Sequence, residues 1–120
     1  MEQSQLSEIL SDILDINPEE IEPETYLVRE LGAESIDLME LAVTLNNKFS
    51  ISVDEDHLFL RSLREHITAA KEQNRDIEEY VQEIYPFLDK KRVKEILTDL
   101  EGGPVLKVKD LGMYVDFYSK

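Results

Sequence analysis

The chain has 120 residues, 42% of them hydrophobic, enough for one small buried core. Its 27 acids against 13 lysines and arginines give a formal charge of −14, which repels nucleic acid and anionic membrane surfaces and favours partners with basic patches. The chain has no cysteine, which excludes a disulfide framework, a thiolate metal site and a thiol nucleophile in the polypeptide.

The start, Met1-Glu2-Gln3-Ser4-Gln5, lacks the basic and apolar regions of a signal peptide. No run is long and apolar enough to span a bilayer, so a cytoplasmic location is expected. Leu6, Ile9, Leu10, Ile13 and Leu14 recur at helical spacing and predict a first helix over about 4–15, with Ser4 or a neighbour as its cap. Pro18 predicts its end near Asp15-Ile16-Asn17. Residues 17–33 read as a long loop, packed down by Ile21, Tyr26, Leu27 and Leu31.

A second helix is predicted over about 35–49. Leu38, Leu41, Ala42, Leu45 and Phe49 form its core stripe. Ile36, Met39 and Val43 lie beside that stripe, flanked by Glu34, Asp37 and Glu40. Acids at a helix start suit the helix dipole. An apolar patch rimmed by acids also suits docking of a basic partner, and the pattern is compatible with both readings. Ser35, just after Gly32-Ala33-Glu34, reads as the helix N-cap with an accessible hydroxyl.

Ile51-Ser52-Val53 reads as a buried link, and Asp54 or a nearby acid as the cap of a third helix over about 55–73. Ser62 and Glu65 have the spacing of a capping box, which would restart a helix there. Asn74-Arg75-Asp76 predicts a turn. A short helix around Ile77–Ile84 stops before Pro86, and another around Val93–Leu100 stops at Gly102-Gly103-Pro104. Val105–Val108 leads, extended, into a final helix over about 109–119. The expected fold class is all-α.

Little here suggests catalysis. His57 and His66 are not spaced as a metal pair, and each reads as a surface or boundary residue. Ser35 lies in no nucleophile-elbow motif and has no evident base. Asp54-Glu55-Asp56 lacks the glycine and alternation of a calcium loop, and the glycines form no phosphate cradle.

The stretch Leu31-Gly32-Ala33-Glu34-Ser35-Ile36-Asp37 resembles the Leu-Gly-Ala-Asp-Ser-Leu-Asp motif of the acyl carrier protein family. The resemblance runs back through Leu14–Ile21, Tyr26-Leu27 and Glu30, and forward through Glu40-Leu41 to Phe49–Val53. It implies that Ser35 receives a 4′-phosphopantetheine arm from coenzyme A as a phosphodiester, making the chain a phosphoprotein. The arm's thiol would carry acyl groups as thioesters. The resemblance further implies a four-helix bundle able to shelter an acyl chain, no catalysis by the chain itself, and a monomer. Its partners would be a holo-carrier synthase or phosphopantetheinyl transferase, and acyl-transferring or acyl-elongating enzymes with basic patches. These would dock on Glu34, Ile36, Asp37, Met39, Glu40 and Val43.

The chain departs from the family pattern at three places. Glu34 stands for the usual aspartate, and Asn46-Asn47-Lys48 truncates an often acidic stretch. The chain also runs well past the family's usual end. Either Leu60–Ile67 is the family's last helix and residues 75–120 are an appendage, or the last helix begins near Val108 and residues 61–104 are inserted before it. The second placement is preferred, giving a single domain over 1–120 with extra helices before the last one. Carriers of very long acyl chains in lipid A synthesis show a similarly placed enlargement. A specialised lipid carrier is therefore the expected role, with a polyketide carrier and an unmodified adaptor as alternatives.

Overall fold

The computed structural model describes residues 1–119. Seven α-helices carry these residues: α1 (Gln3–Leu14), α2 (Ser35–Phe49), α3 (Glu55–Leu58), α4 (Leu63–Glu72), α5 (Ile77–Ile84), α6 (Lys90–Thr98) and α7 (Val108–Tyr118). Short 3-10 turns lie at Pro18–Glu20 and Leu100–Gly102. The one extended pairing among the described residues is an isolated antiparallel bridge between Tyr26 and Lys107. The all-α expectation, with helices beyond the usual four, agrees with this architecture.

Helix α1 buries Leu6, Ile9 and Leu10, as its periodicity predicts. Its cap is Glu2 rather than Ser4, and the Glu2 N–H donates to Gln5 Oε1 at 3.1 Å. It ends at Asp15, which takes a left-handed conformation with φ of 55°. The following loop is tied down, as its apolar residues suggest. Ile21 and Leu27 are buried. The loop's backbone finds partners far along the chain: Leu27 N–H donates to the Leu106 carbonyl at 3.1 Å, and Val108 N–H to the Thr25 carbonyl at 2.9 Å. Buried main-chain groups must be paired, so these bonds let a long loop lie against the core.

The helix predicted over 55–73 is interrupted, and its second part restarts with Ser62 in the N-cap position, where the Ser62–Glu65 spacing placed a restart. Asp54 caps α3 through the His57 N–H at 3.3 Å, but α3 stops after Leu58. Leu60 is left-handed with φ of 57°, and α4 begins at Leu63. The cause lies in Leu58-Phe59-Leu60, which are all buried. Three successive residues fan over about 200° of a helix surface, too wide for one core-facing stripe. A turn lets all three face inwards. Ser62 does not cap α4 through its side chain; its hydroxyl donates to the Asp56 carboxylate at 3.0 Å.

Helix α4 packs on α5, and α5 on α6. Asp76 caps α5 and Asp89 caps α6, accepting the N–H groups of Glu79 and Arg92. The last helix starts at Val108, one residue earlier than predicted. It is bound to α6 by a buried ion pair that the sequence pattern does not announce. Arg92 Nε and Nη2 donate to the two oxygens of Asp110 at 2.7 and 2.9 Å. Arg92 Nη2 also donates to the Val105 carbonyl at 2.7 Å. Burial works against the charge on Arg92, but the bonds to Asp110 outweigh it and raise the guanidinium pKa.

His57 sits at the boundary of an aromatic cluster that joins α3 to α7. Its ring stacks on Tyr85 and lies edge-on to Phe87 and Tyr114, and its Nε2 is 2.9 Å from the Tyr118 hydroxyl. One hydrophobic core joins α1, α2, the loop, α7 and the helices between.

Candidate functional site

The backbone builds the serine turn before any side chain contributes. Gly32 has φ of +68°, a conformation that costs residues with a Cβ but is open to glycine. Its N–H donates to the Val28 carbonyl at 3.1 Å, and the Ala33 N–H donates to the Leu27 carbonyl at 3.1 Å. Ala33 is buried. The turn is thus anchored to the fully buried Leu27 on one side and runs into α2 on the other.

Ser35 is not the N-cap. Glu34 holds that position with extended backbone angles, φ −103° and ψ 170°. The Glu34 N–H donates to Asp37 Oδ2 at 2.9 Å, so Asp37 fastens the helix start from within. Ser35 is therefore the first helical residue. This displacement frees its hydroxyl from capping. The residue is exposed, and its side chain makes no hydrogen bond among the described residues. The first N–H groups of a helix and the positive end of its dipole favour a phosphate group there. An exposed, uncommitted hydroxyl at this point fits a phosphodiester-linked group.

The expected docking residues fall on the outer side of the same helix. Ile36, Met39 and Val43 are 65%, 52% and 56% exposed, which is unusual for such large apolar residues on one face. Glu34 and Glu40 are exposed beside them. Asp37 is half-buried and partly committed to the helix start. The inner stripe is as predicted for Leu41, Ala42 and Leu45, which are buried, while Leu38 and Phe49 are half-buried. Asn46, in the segment that departs from the acidic pattern, accepts the Val53 N–H through Oδ1 at 3.3 Å. Part of that departure thus fastens the link after α2.

Leu38 also lines a cleft of about 530 Å³, which the sequence did not reveal. Val28 of the loop, Phe59 to Arg61, Leu63, Arg64, and Leu100 with Gly103 to Leu106 complete its walls. Leu38 lies three residues beyond Ser35, so cleft and serine share the first turns of α2. Phe59 and Leu60, which line it, belong to the apolar run Leu58–Leu60, which is too dense for a single helix face. Among the described residues, no group of His, Asp and Glu could hold a metal ion, and no helix is long and apolar enough to cross a membrane.

Comparison with known proteins adds to this geometry. A family model described as a phosphopantetheine attachment site matches residues 4–69, more than half of the chain. An acyl carrier protein of Nitratidesulfovibrio vulgaris (strain Miyazaki F) is 39% identical over 54 residues, 45% of this chain and 71% of that protein. An acyl carrier protein of Wolinella succinogenes is 37% identical over 51 residues, 42% of this chain and 67% of that protein. No solved structure matches the chain.

Proposed function

Since the chain belongs to the phosphopantetheine-attachment family of acyl carrier proteins, we propose that Ser35 is the residue that bears the arm. Members of the family are carriers without catalysis of their own, and their cofactor is 4′-phosphopantetheine. When bound, the arm supplies the thiol on which acyl groups travel as thioesters, a sulfur that the cysteine-free chain lacks. The observation that carries the assignment to Ser35 is its release from capping: Glu34 and Asp37 organise the helix start and leave the hydroxyl exposed.

The rest of α2 has a second task in this reading. Ile36, Met39 and Val43, rimmed by Glu34 and Glu40 and supported by Asp37, form the face on which the transferase and acyl-handling enzymes dock. A negative rim speeds encounter with basic partners and makes it sensitive to salt. Docking holds the carried group at the partner's active site, so transfer gains from proximity. We assign the work to the cytoplasm and to a monomeric carrier.

We further read α7 as the last helix of the carrier fold and residues 61–104 as an insertion within one domain. The match to the family model ends at residue 69, which by itself favours α4 as that helix. Packing favours α7. It lies against α1, while α4 packs chiefly on α5. Buried Leu111, Tyr114 and Val115 share the core with Leu10, Leu41 and Leu45, a core that Leu63 and Ile67 of α4 also enter. The Tyr26–Lys107 bridge sews the start of α7 to the loop before Ser35. The inserted segment then supplies Leu100 and Gly103 to one wall of the cleft beside α2. A carrier so enlarged suits a specialised acyl chain in lipid synthesis, sheltered in that cleft.

A fluorescent coenzyme A analogue tests the assignment. With a carrier transferase, the wild-type chain should become labelled and Ser35→Ala should not. A wild-type chain that stays unlabelled with several transferases would overturn the proposal.

A further inference from the structure

The cleft beside α2 has a feature that a plain hydrocarbon chain does not require. Arg61 and Arg64 both line it, among largely apolar walls that include Leu38, Phe59, Leu63 and Val105. In a chain with 27 acids and 13 lysines and arginines, a carboxylate partner is easy to find. Arg64 has none among the described residues, and its Nη2 donates instead to the Leu100 carbonyl at 2.9 Å. The nearest carboxylate to Arg61 is that of Glu55, at 3.8 Å, beyond hydrogen-bond length. Gly103, which also lines the cleft, has its carbonyl oxygen 2.9 Å from Arg29 Nη2. A third guanidinium therefore backs the cleft, already matched by Asp99.

We propose that this cleft receives an acyl chain ending in a carboxylate, with Arg61 and Arg64 as the groups that recognise it. The inference rests on the carrier reading of Ser35. A guanidinium presents a planar set of donors that fits a carboxylate bidentately. An alkyl chain laid over the same groups would cover N–H donors without replacing their water partners, which is unfavourable. Charge points the same way. Residues 1–58 contain only Arg29 and Lys48 as cations among many acids, so an anionic chain end laid along α1, α2 or the loop is repelled. The wall formed from residue 59 onwards is where that repulsion is offset.

The test compares two cargoes of equal carbon number. Protein is loaded from hexanoyl-coenzyme A or adipoyl-coenzyme A by a transferase that accepts acylated coenzyme A. Intact mass verifies loading in each arm. The phosphodiester of the arm is present in both forms, so it cancels from the comparison. The adipoyl form should melt about 2–4 °C above the hexanoyl form, the shift expected for a partly exposed ion pair in a chain of this size. It should also move the Arg61 and Arg64 side-chain N–H resonances. The gap should shrink in Arg61→Gln and in Arg64→Gln, close in the double variant, and persist in part when both are lysine. Equal melting of the two wild-type forms, or a gap that survives in the double glutamine variant, overturns the inference while leaving the carrier reading intact. Failure to load either cargo overturns both.

Discussion

Arg92 on α6 and Asp110 on α7 face each other across two hydrogen bonds of 2.7 and 2.9 Å, with 2% and 0% of their side chains exposed. Asp110 also accepts the Lys107 N–H at 2.8 Å, so one carboxylate both caps α7 and fixes it to the helix before it. Removing one partner of a buried pair leaves the other charge unmatched. Asp110→Ala should therefore destabilise the chain by about 3–5 kcal/mol in urea melts. Replacing both partners with apolar residues of similar size should cost less than Asp110→Ala alone. A double variant as unstable as the single one would contradict this account of the pair.

Gly32 controls the approach to Ser35. A Cβ there would meet nothing within 4 Å, so the cost of a substitution is conformational rather than steric. Gly32→Ala should lower stability by about 1 kcal/mol, and Gly32→Asn by less, because asparagine tolerates the left-handed region better. The same variants should slow attachment at Ser35 in proportion, measured as initial labelling rate. Unchanged rates would mean that the turn does not position the serine.

Glu40 tests the docking face without disturbing the helix start. Its side chain is exposed, and no side-chain hydrogen bond joins it to another described residue. Glu40→Lys should leave the melting temperature within about 2 °C while slowing association with the transferase several-fold at low salt. Raising ionic strength should narrow the difference as screening sets in. A rate independent of both charge and salt would remove electrostatic docking from the account.

Stability should also fall under mildly acidic conditions because of His57. Burial lowers its pKa below the ordinary 6.5, against the opposing pull of Asp54 and Asp56 and with a smaller contribution from His66. The unfolded chain then binds a proton that the folded chain resists. Stability is full above pH 6.5 and declines as pH falls through the histidine range. Glu24 acts lower on the scale. Hydrogen bonds from Lys109 and Lys107 hold its pKa at about 2, so its contribution is present above pH 4.5 and lost as pH falls towards 2. Urea melts at pH 7.5 and 5.5 should show a smaller loss in His57→Gln than in the wild type. An equal loss in both would assign the effect to other groups.

Local periodicity was enough to expose α1 and α2, because neighbours at helical spacing declare their shared face, and the pegs of the loop stood out as apolar residues among acids. It also located the serine turn, since Gly32 and the apolar run from Ile36 lie within a few residues of each other. What it missed depends on distant partners. Arg92 and Asp110 are 18 residues apart, and Tyr26 and Asp99, joined by a hydrogen bond, are 73 apart. Neither residue of such a pair looks unusual alone. The restart at Ser62 was legible in its spacing to Glu65, but the turn at Leu60 was not: Leu58–Leu60 is apolar enough for a helix, and only the demand to bury all three forces a turn. Ser35 was misassigned as the cap because serine is a strong capping residue. Glu34, with Asp37 three residues on, took the position instead.

The attachment point is tested most directly by intact-mass analysis of the chain after treatment with coenzyme A and a carrier transferase, followed by fragmentation of the peptide containing Ser35. A gain of one phosphopantetheine, located on Ser35, is expected in the wild type and no gain in Ser35→Ala. A gain that persists in Ser35→Ala, or a wild-type chain left unchanged by several transferases, would contradict attachment at Ser35.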